Sequence, residues 1–200
     1  MAPTKKPAIT YMLLAISILI AFISQLGNQL EPLEGLFYSF YLQPQFLEIK
    51  QGQLWRLVTP IFIHFGILHL LMNGVMLWMF GRLMERIHGA MSYLVIIIII
   101  AIISNTAQYL VSGPLFGGFS GVLYGLLGLI WAMGKLSPHY PLRLPPNITY
   151  LVIGWFLLCW SGLLSKVDIH IANTAHTAGL ISGIVIACLM VKMRKNRQII

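Results

Sequence analysis

Apolar residues in this chain gather into six long runs, and charged residues stand almost only between them. The runs cover roughly Ile9–Leu26, Gly66–Phe80, Tyr93–Val111, Ser120–Gly134, Ile148–Leu164 and Ala172–Val191. Inside a bilayer no water is available for peptide groups, so a crossing segment must be a helix or part of a closed barrel. A helix needs about 20 apolar residues to cross. The pattern predicts an all-α polytopic membrane protein: six transmembrane helices in a single unit over residues 1–200. No second domain is expected. The second and fourth runs are short for a span. Either flanking residues extend them or their helices begin below the surface.

Composition agrees, since 9% of residues are charged where a soluble domain carries about 25%. The net charge of +8 could suggest a nucleic-acid partner, but no face groups the basic residues to follow phosphates. They stand at span ends instead. Ten of the thirteen (Lys5, Lys6, Arg82, Arg86, Lys135, Arg143, Lys192, Arg194, Lys195 and Arg197) fall on one side, and Lys50, Arg56 and Lys166 on the other. By the positive-inside rule the first side is cytoplasmic, which predicts both termini there. Of the acids, Glu31, Glu34, Glu48 and Asp168 fall outside. No small-x-small cleavage site follows the first run, so an uncleaved first helix is expected. Cys159 and Cys188 belong to opposite halves of different spans, and each reads as a small apolar core residue without a disulfide.

The first outer loop, Gly27 to about Phe65, is the longest connection. With Phe37, Tyr38, Phe40, Tyr41, Phe46 and Trp55 it is too aromatic for a free linker. It is predicted to form short helices partly in the bilayer interface. Pro138, Pro141, Pro145 and Pro146 separate the fourth and fifth spans, since proline cannot continue a helix.

Strongly polar residues inside spans are costly and point by default to function. They are His69 and Asn73, Asn105 and Gln108, Ser120 and Tyr124, Asn173 and His176. Ser120 follows Gly117-Gly118-Phe119 and precedes Gly121, Gly125 and Gly128. Fifteen residues separate it from Lys135, a rise of about 23 Å in a hydrocarbon layer of about 30 Å. Ser120 should therefore lie below the outer surface, facing a watered cavity. A simple N-cap serine is the alternative. His176 shares a face with Gly179 and Gly183, and small residues let helices approach closely in lipid. Two glycine-faced helices could bring serine and imidazole together, although a lone histidine could equally be an interhelical tie. His69 and Asn73, four residues apart, present one helix face whose donors could hold an oxyanion with the Ser120 amide. Helix-to-helix hydrogen bonding is again the plainer alternative. His64 stands just outside, placed to cap or line the same cavity.

Trp55-Arg56, His64-x4-His69-x3-Asn73, Arg82-Leu-Met-Glu85-Arg-x-x-Gly89, Ser112-Gly-Pro-x-x-Gly-Gly-Phe-Ser120-Gly121-x-x-Tyr124 and Ala172-Asn-x-Ala-His176-x-x-Gly179 occur in this order. Together they resemble the rhomboid family of intramembrane serine proteases, most closely its six-helix bacterial members, over Trp55 to Gly183. The resemblance implies a serine endopeptidase that cuts transmembrane segments of membrane proteins near the outer side of the bilayer. Ser120 would be the nucleophile and His176 its base. The Ser120 amide, His69 and Asn73 would form the oxyanion hole. Gly118 would shape that turn, and Tyr124 would hold the base. Trp55, Arg56 and Glu85 match structural positions. The resemblance calls for no cofactor and no metal, and it fits a bacterial inner membrane. Two departures stand out: Pro60 replaces a histidine of some bacterial members, and no separate cytoplasmic domain is expected. Trp155, Phe156 and Trp160 of the fifth span are candidates for a substrate gate or for lipid anchors, with anchors favoured.

Rival functions stay open on sequence. A rhomboid-like binding protein would capture helices without cutting, and would have no need of an intact nucleophile. A proton or metal transporter would want acids within its spans, and none lies in a span interior. Paired haem ligation by His69 and His176 would give a Soret band.

Overall fold

A computed structural model of the chain describes residues 6–41, 45–167 and 171–197. Lys5 and Asp168, counted above, lie outside them. Six helices carry the fold: α1 (Ala8–Ile23), α2 (Ile67–His88), α3 (Ala90–Ser112), α4 (Ser120–Leu136), α5 (Pro146–Trp160) and α6 (Asn173–Arg197). There is no strand among the described residues. α2, α3 and α6 are long and apolar enough to cross a membrane, whereas α1, α4 and α5 are shorter apolar helices.

The short second run is resolved by extension. α2 continues past Phe80 for 22 residues in all, with a π-helical stretch at Leu77–Gly81. Its last turn carries Glu85, which caps the start of α1. The buried Glu85 carboxylate accepts the Ile9 and Thr10 amides at 2.9 and 2.8 Å and the Thr10 hydroxyl at 2.8 Å. It thus satisfies donors that a helix start leaves open, and puts negative charge at the positive end of the α1 dipole. The short fourth run is not extended: α4 begins at Ser120. α1 stops earlier than its apolar run, because Gln25 and Leu26 turn left-handed before Gly27.

α4 is the core of the bundle. Most of its side chains from Gly121 to Met133 are buried, and an all-round apolar helix is stable only with neighbours on every side. α6 lies closest. A Cβ on Gly179 would run into the Gly121 carbonyl, and one on Gly183 into the Gly125 carbonyl. Glycine is what permits this backbone-to-backbone contact. α5 sits at the edge, with Cys159 its one fully buried residue. Cys188, expected in the core, instead faces outward as a free thiol.

The outer loop folds into short helical turns at Glu31–Leu33, Leu47–Lys50, Leu54–Leu57 and Thr59–Phe62. Buried Arg56 pins it, donating to the Glu34 and Phe37 carbonyls at 2.7 and 2.9 Å. Trp55 Nε1 donates to Gly35 O at 3.1 Å. Glu48 accepts from the Phe40 amide and the Ser39 hydroxyl, both at 2.8 Å. Tyr38 stacks on Tyr109 of α3 with centroids 4.7 Å apart. The loop is therefore a packed cap over the end of the bundle where α4 begins.

Candidate active site

Ser120 is the first residue of α4, half-buried beneath this cap. The turn that delivers it depends on Gly118, whose φ of +113° favours glycine. The Gly118 amide donates to Pro60 O at 3.0 Å, so the outer loop fixes the height of the turn. Pro60 supplies this acceptor through its backbone, which proline retains.

His176 lies in the first turn of α6. The glycine contacts that draw α6 onto α4 leave His176 Nε2 2.8 Å from Ser120 Oγ. The ring is buried and stacks on Tyr124, with centroids 4.6 Å apart and planes inclined by 29°. Tyr124 is in turn held edge-on by Phe156 of α5 at 5.5 Å. For Nε2 to accept the serine proton, Nδ1 must carry the hydrogen of the neutral ring. Among the described residues Nδ1 is buried with no hydrogen-bond partner, and the Tyr124 stack orients the ring.

His69 approaches from α2. The Phe65 amide points at its Nδ1 from 3.4 Å, which assigns the ring hydrogen to Nε2. That nitrogen faces the Gly118 turn: a Cβ placed on Gly118 would lie 2.6 Å from His69 Nε2 and 3.8 Å from Ser120 Oγ. A donor and the serine oxygen thus converge where no side chain can stand. Asn73 is buried one turn further along the same face and gives one amide hydrogen to His69 O at 2.9 Å. His64 packs edge-on against His69 with centroids 5.0 Å apart. Its Nδ1 donates to Phe62 O at 3.0 Å. Burial, and then the neighbouring His69, push the His64 pKa down to about 4, so this ring is neutral at physiological pH.

Ser120, His176, Tyr124, Gly118 and His69 therefore meet at one place, with His64 packed on His69 and Asn73 one turn along α2. Sequence reasoning flagged Asn105, Gln108 and Asn173 as costly but gave them no task. Gln108 Oε1 accepts the amide of Ala175, the residue before His176, at 3.0 Å. Asn105 Nδ2 donates to Leu57 O at 2.9 Å, tying α3 to the loop. Asn173 Nδ2 donates to Cys159 O at 2.8 Å, tying α6 to α5. Their intramembrane polarity was the signal, and only their partners were missing. Of the three gate or anchor candidates on α5, Phe156 packs inward on Tyr124, and Trp160 Nε1 donates to Thr177 Oγ1 at 3.2 Å. Trp155 is exposed.

Comparison with known proteins agrees with this architecture. The family model for the rhomboid domain matches residues 51–193. The rhomboid protease GlpG of Yersinia pseudotuberculosis serotype I (strain IP32953) is 38% identical over 135 residues, 68% of this chain and 48% of its own length. GlpG of Yersinia pestis gives the same identity and coverage. GlpG of Pectobacterium atrosepticum is 37% identical over 140 residues, 70% of this chain and 50% of its own. The chain thus spans about half the length of the curated relatives it matches. With a family match over most of its length and apolar helices of membrane-crossing character, the chain is an integral membrane protein that belongs to the rhomboid family.

Proposed function

We propose that this chain is an intramembrane serine endopeptidase acting through a Ser120–His176 dyad. The observation that carries the reading is the 2.8 Å contact between Ser120 Oγ and His176 Nε2, in a bundle whose other buried polar groups are nearly all engaged in packing. Its six helices form one membrane unit with six crossings. Both termini face the cytoplasm of a bacterial inner membrane, and the dyad lies toward the opposite side. Substrates are transmembrane segments of membrane proteins.

In this mechanism a substrate helix first unwinds at its outer end, because a helix keeps its carbonyls in its own hydrogen bonds. His176 Nε2 takes the Ser120 proton as Oγ attacks the exposed carbonyl carbon. The resulting oxyanion is received by the Ser120 amide, His69 Nε2–H and the Asn73 amide. Such a donor is worth about 2.7–4 kcal/mol in a comparable hole. Protonated His176 then gives its proton to the leaving amine. Water, activated by the same imidazole, hydrolyses the acyl-enzyme.

The test is cleavage of a synthetic transmembrane substrate by purified protein, beside Ser120→Ala and His176→Ala. Wild type should cut, and both folded variants should fall by at least about 10³-fold. Cleavage undiminished in Ser120→Ala would refute the dyad. Absence of cleavage by wild type, with no fluorophosphonate labelling of Ser120, would favour a protein that binds helices without cutting them.

A further inference from the structure

A cavity of about 310 Å³ lies between α1 and α2. Leu14 and Ile18 of α1 and Leu71, Val75 and Trp78 of α2 form its walls, with Phe119 at its floor. Its existence depends on Gly74: a Cβ there would meet nothing nearer than Leu14 Cδ2 at 3.8 Å. A longer side chain at this position would fill the space. The cavity extends from Ile67 to Trp78 along α2, about 16 Å of helix rise. That is close to one leaflet of a hydrocarbon layer about 30 Å thick. Its exposed surface is almost wholly apolar: of its three polar lining residues, Asn73 gives an amide hydrogen to His69 O, and Ser17 Oγ and His64 Nε2 are buried without a partner among the described residues. The walls of Ile18, Leu71 and Val75 are exposed on the membrane side.

A fixed positive charge stands at one end. The Arg82 guanidinium carbon lies 3.6 Å over the Trp78 ring, and Arg82 Nε donates to Trp78 O at 2.7 Å. Arg82 is thereby held against Trp78, the last α2 residue that lines the cavity, rather than free to extend. The carboxylate nearest in sequence, Glu85, is engaged with the start of α1 through both oxygens. Among the described residues no acid pairs with Arg82. Arg86 is exposed one turn further on, and Lys6 is exposed just before α1. Arg82 follows Gly81, which packs against Thr10 in the first turn of α1. The charge is therefore level with the start of α1, at the end of the bundle remote from Ser120.

We propose that the α1–α2 groove is a binding site for an anionic phospholipid, one acyl chain lying along Gly74 and the phosphate meeting Arg82. An apolar groove one leaflet deep, ending on an unpaired arginine level with the start of α1, matches that amphiphile in both chemistry and length. This inference needs the helices to be in a membrane but does not need the protein to be a protease.

Native mass spectrometry of the full chain in detergent tests it, with dioleoyl phosphatidylglycerol and dioleoyl phosphatidylcholine as probes. Wild type should retain the anionic lipid about fivefold better than the zwitterionic one. Arg82→Gln should bring that ratio close to one, while Arg143→Gln, on a loop of the same side, leaves it unchanged. Gly74→Leu, a substitution that favours helix, should lose adducts of both lipids. Equal retention by wild type, a preference that survives Arg82→Gln, or an equal fall in Arg143→Gln would overturn the proposal. So would undiminished adducts in Gly74→Leu, or a dimer mass in place of lipid adducts, which would assign the groove to a second copy.

Discussion

Three side chains from three helices end within reach of the Gly118 turn, and each owes its direction to one neighbour. His176 is set by Tyr124, Ser120 by the left-handed glycine before it, and His69 by the Phe65 amide. His69 is the one whose donor nitrogen faces the Gly118 turn and Ser120, whereas Asn73 already spends an amide hydrogen on its own helix. The two should therefore separate on mutation. His69→Ala should lower kcat by about 10²–10³-fold, the cost of one hole donor, and Asn73→Ala by less. Steady-state cleavage with both variants checks this, and a larger effect at Asn73 would reassign the principal donor.

At the level of elements, the interface between α4 and α6 decides whether the dyad exists. Its backbones touch at Gly121–Gly179 and Gly125–Gly183. A methyl group at Gly183 has no flexible side chain to displace, only the Gly125 carbonyl. Overpacking of this kind costs about 1–3 kcal/mol. Gly183→Ala should thus lower the thermal midpoint in detergent and lengthen the Ser120–His176 distance. A variant as stable and as active as wild type would show that the helices can slide apart without consequence. α5 is held differently, through Asn173, Trp160 and Phe156 at its outer end. Ile148 and Val152 also pack against the core, yet with Cys159 its one buried residue α5 is the least embedded helix of the bundle.

For the molecule as a whole, the outer cap has its own response to pH. His64 is buried and neutral in the folded protein, with its pKa pushed down to about 4, whereas in an unfolded chain a histidine titrates near about 6.5. Below that value the unfolded state binds the extra proton and the folded state does not. Stability contributed by neutral His64 is therefore full above about pH 6.5 and declines as pH falls toward about 4. Unfolding midpoints of wild type and His64→Gln, measured across this window, should diverge in slope, the variant being flatter. Parallel profiles would mean that His64 is protonated without penalty in the folded cap.

Membrane class, the six helical segments and the identity of the polar residues were all legible in the sequence, because hydrocarbon forces each apolar run into a helix and makes every intramembrane polar group conspicuous. Glycine spacing on α4 and α6 foretold their close approach for a similar reason: no other residue leaves room for it. Tertiary structure decided the rest. That α2 runs on to His88 could not be read from its charged end, since Glu85 is helical there to receive the start of α1, a partner more than seventy residues away. Gln108 showed its polarity but not its task, which is to hold the backbone just before His176. The groove beside Gly74 had no sequence signature, because an empty space is defined by what two separate helices fail to fill. Local chemistry is written along the chain. Distances between helices, and the site and groove that depend on them, arise only when the chain packs.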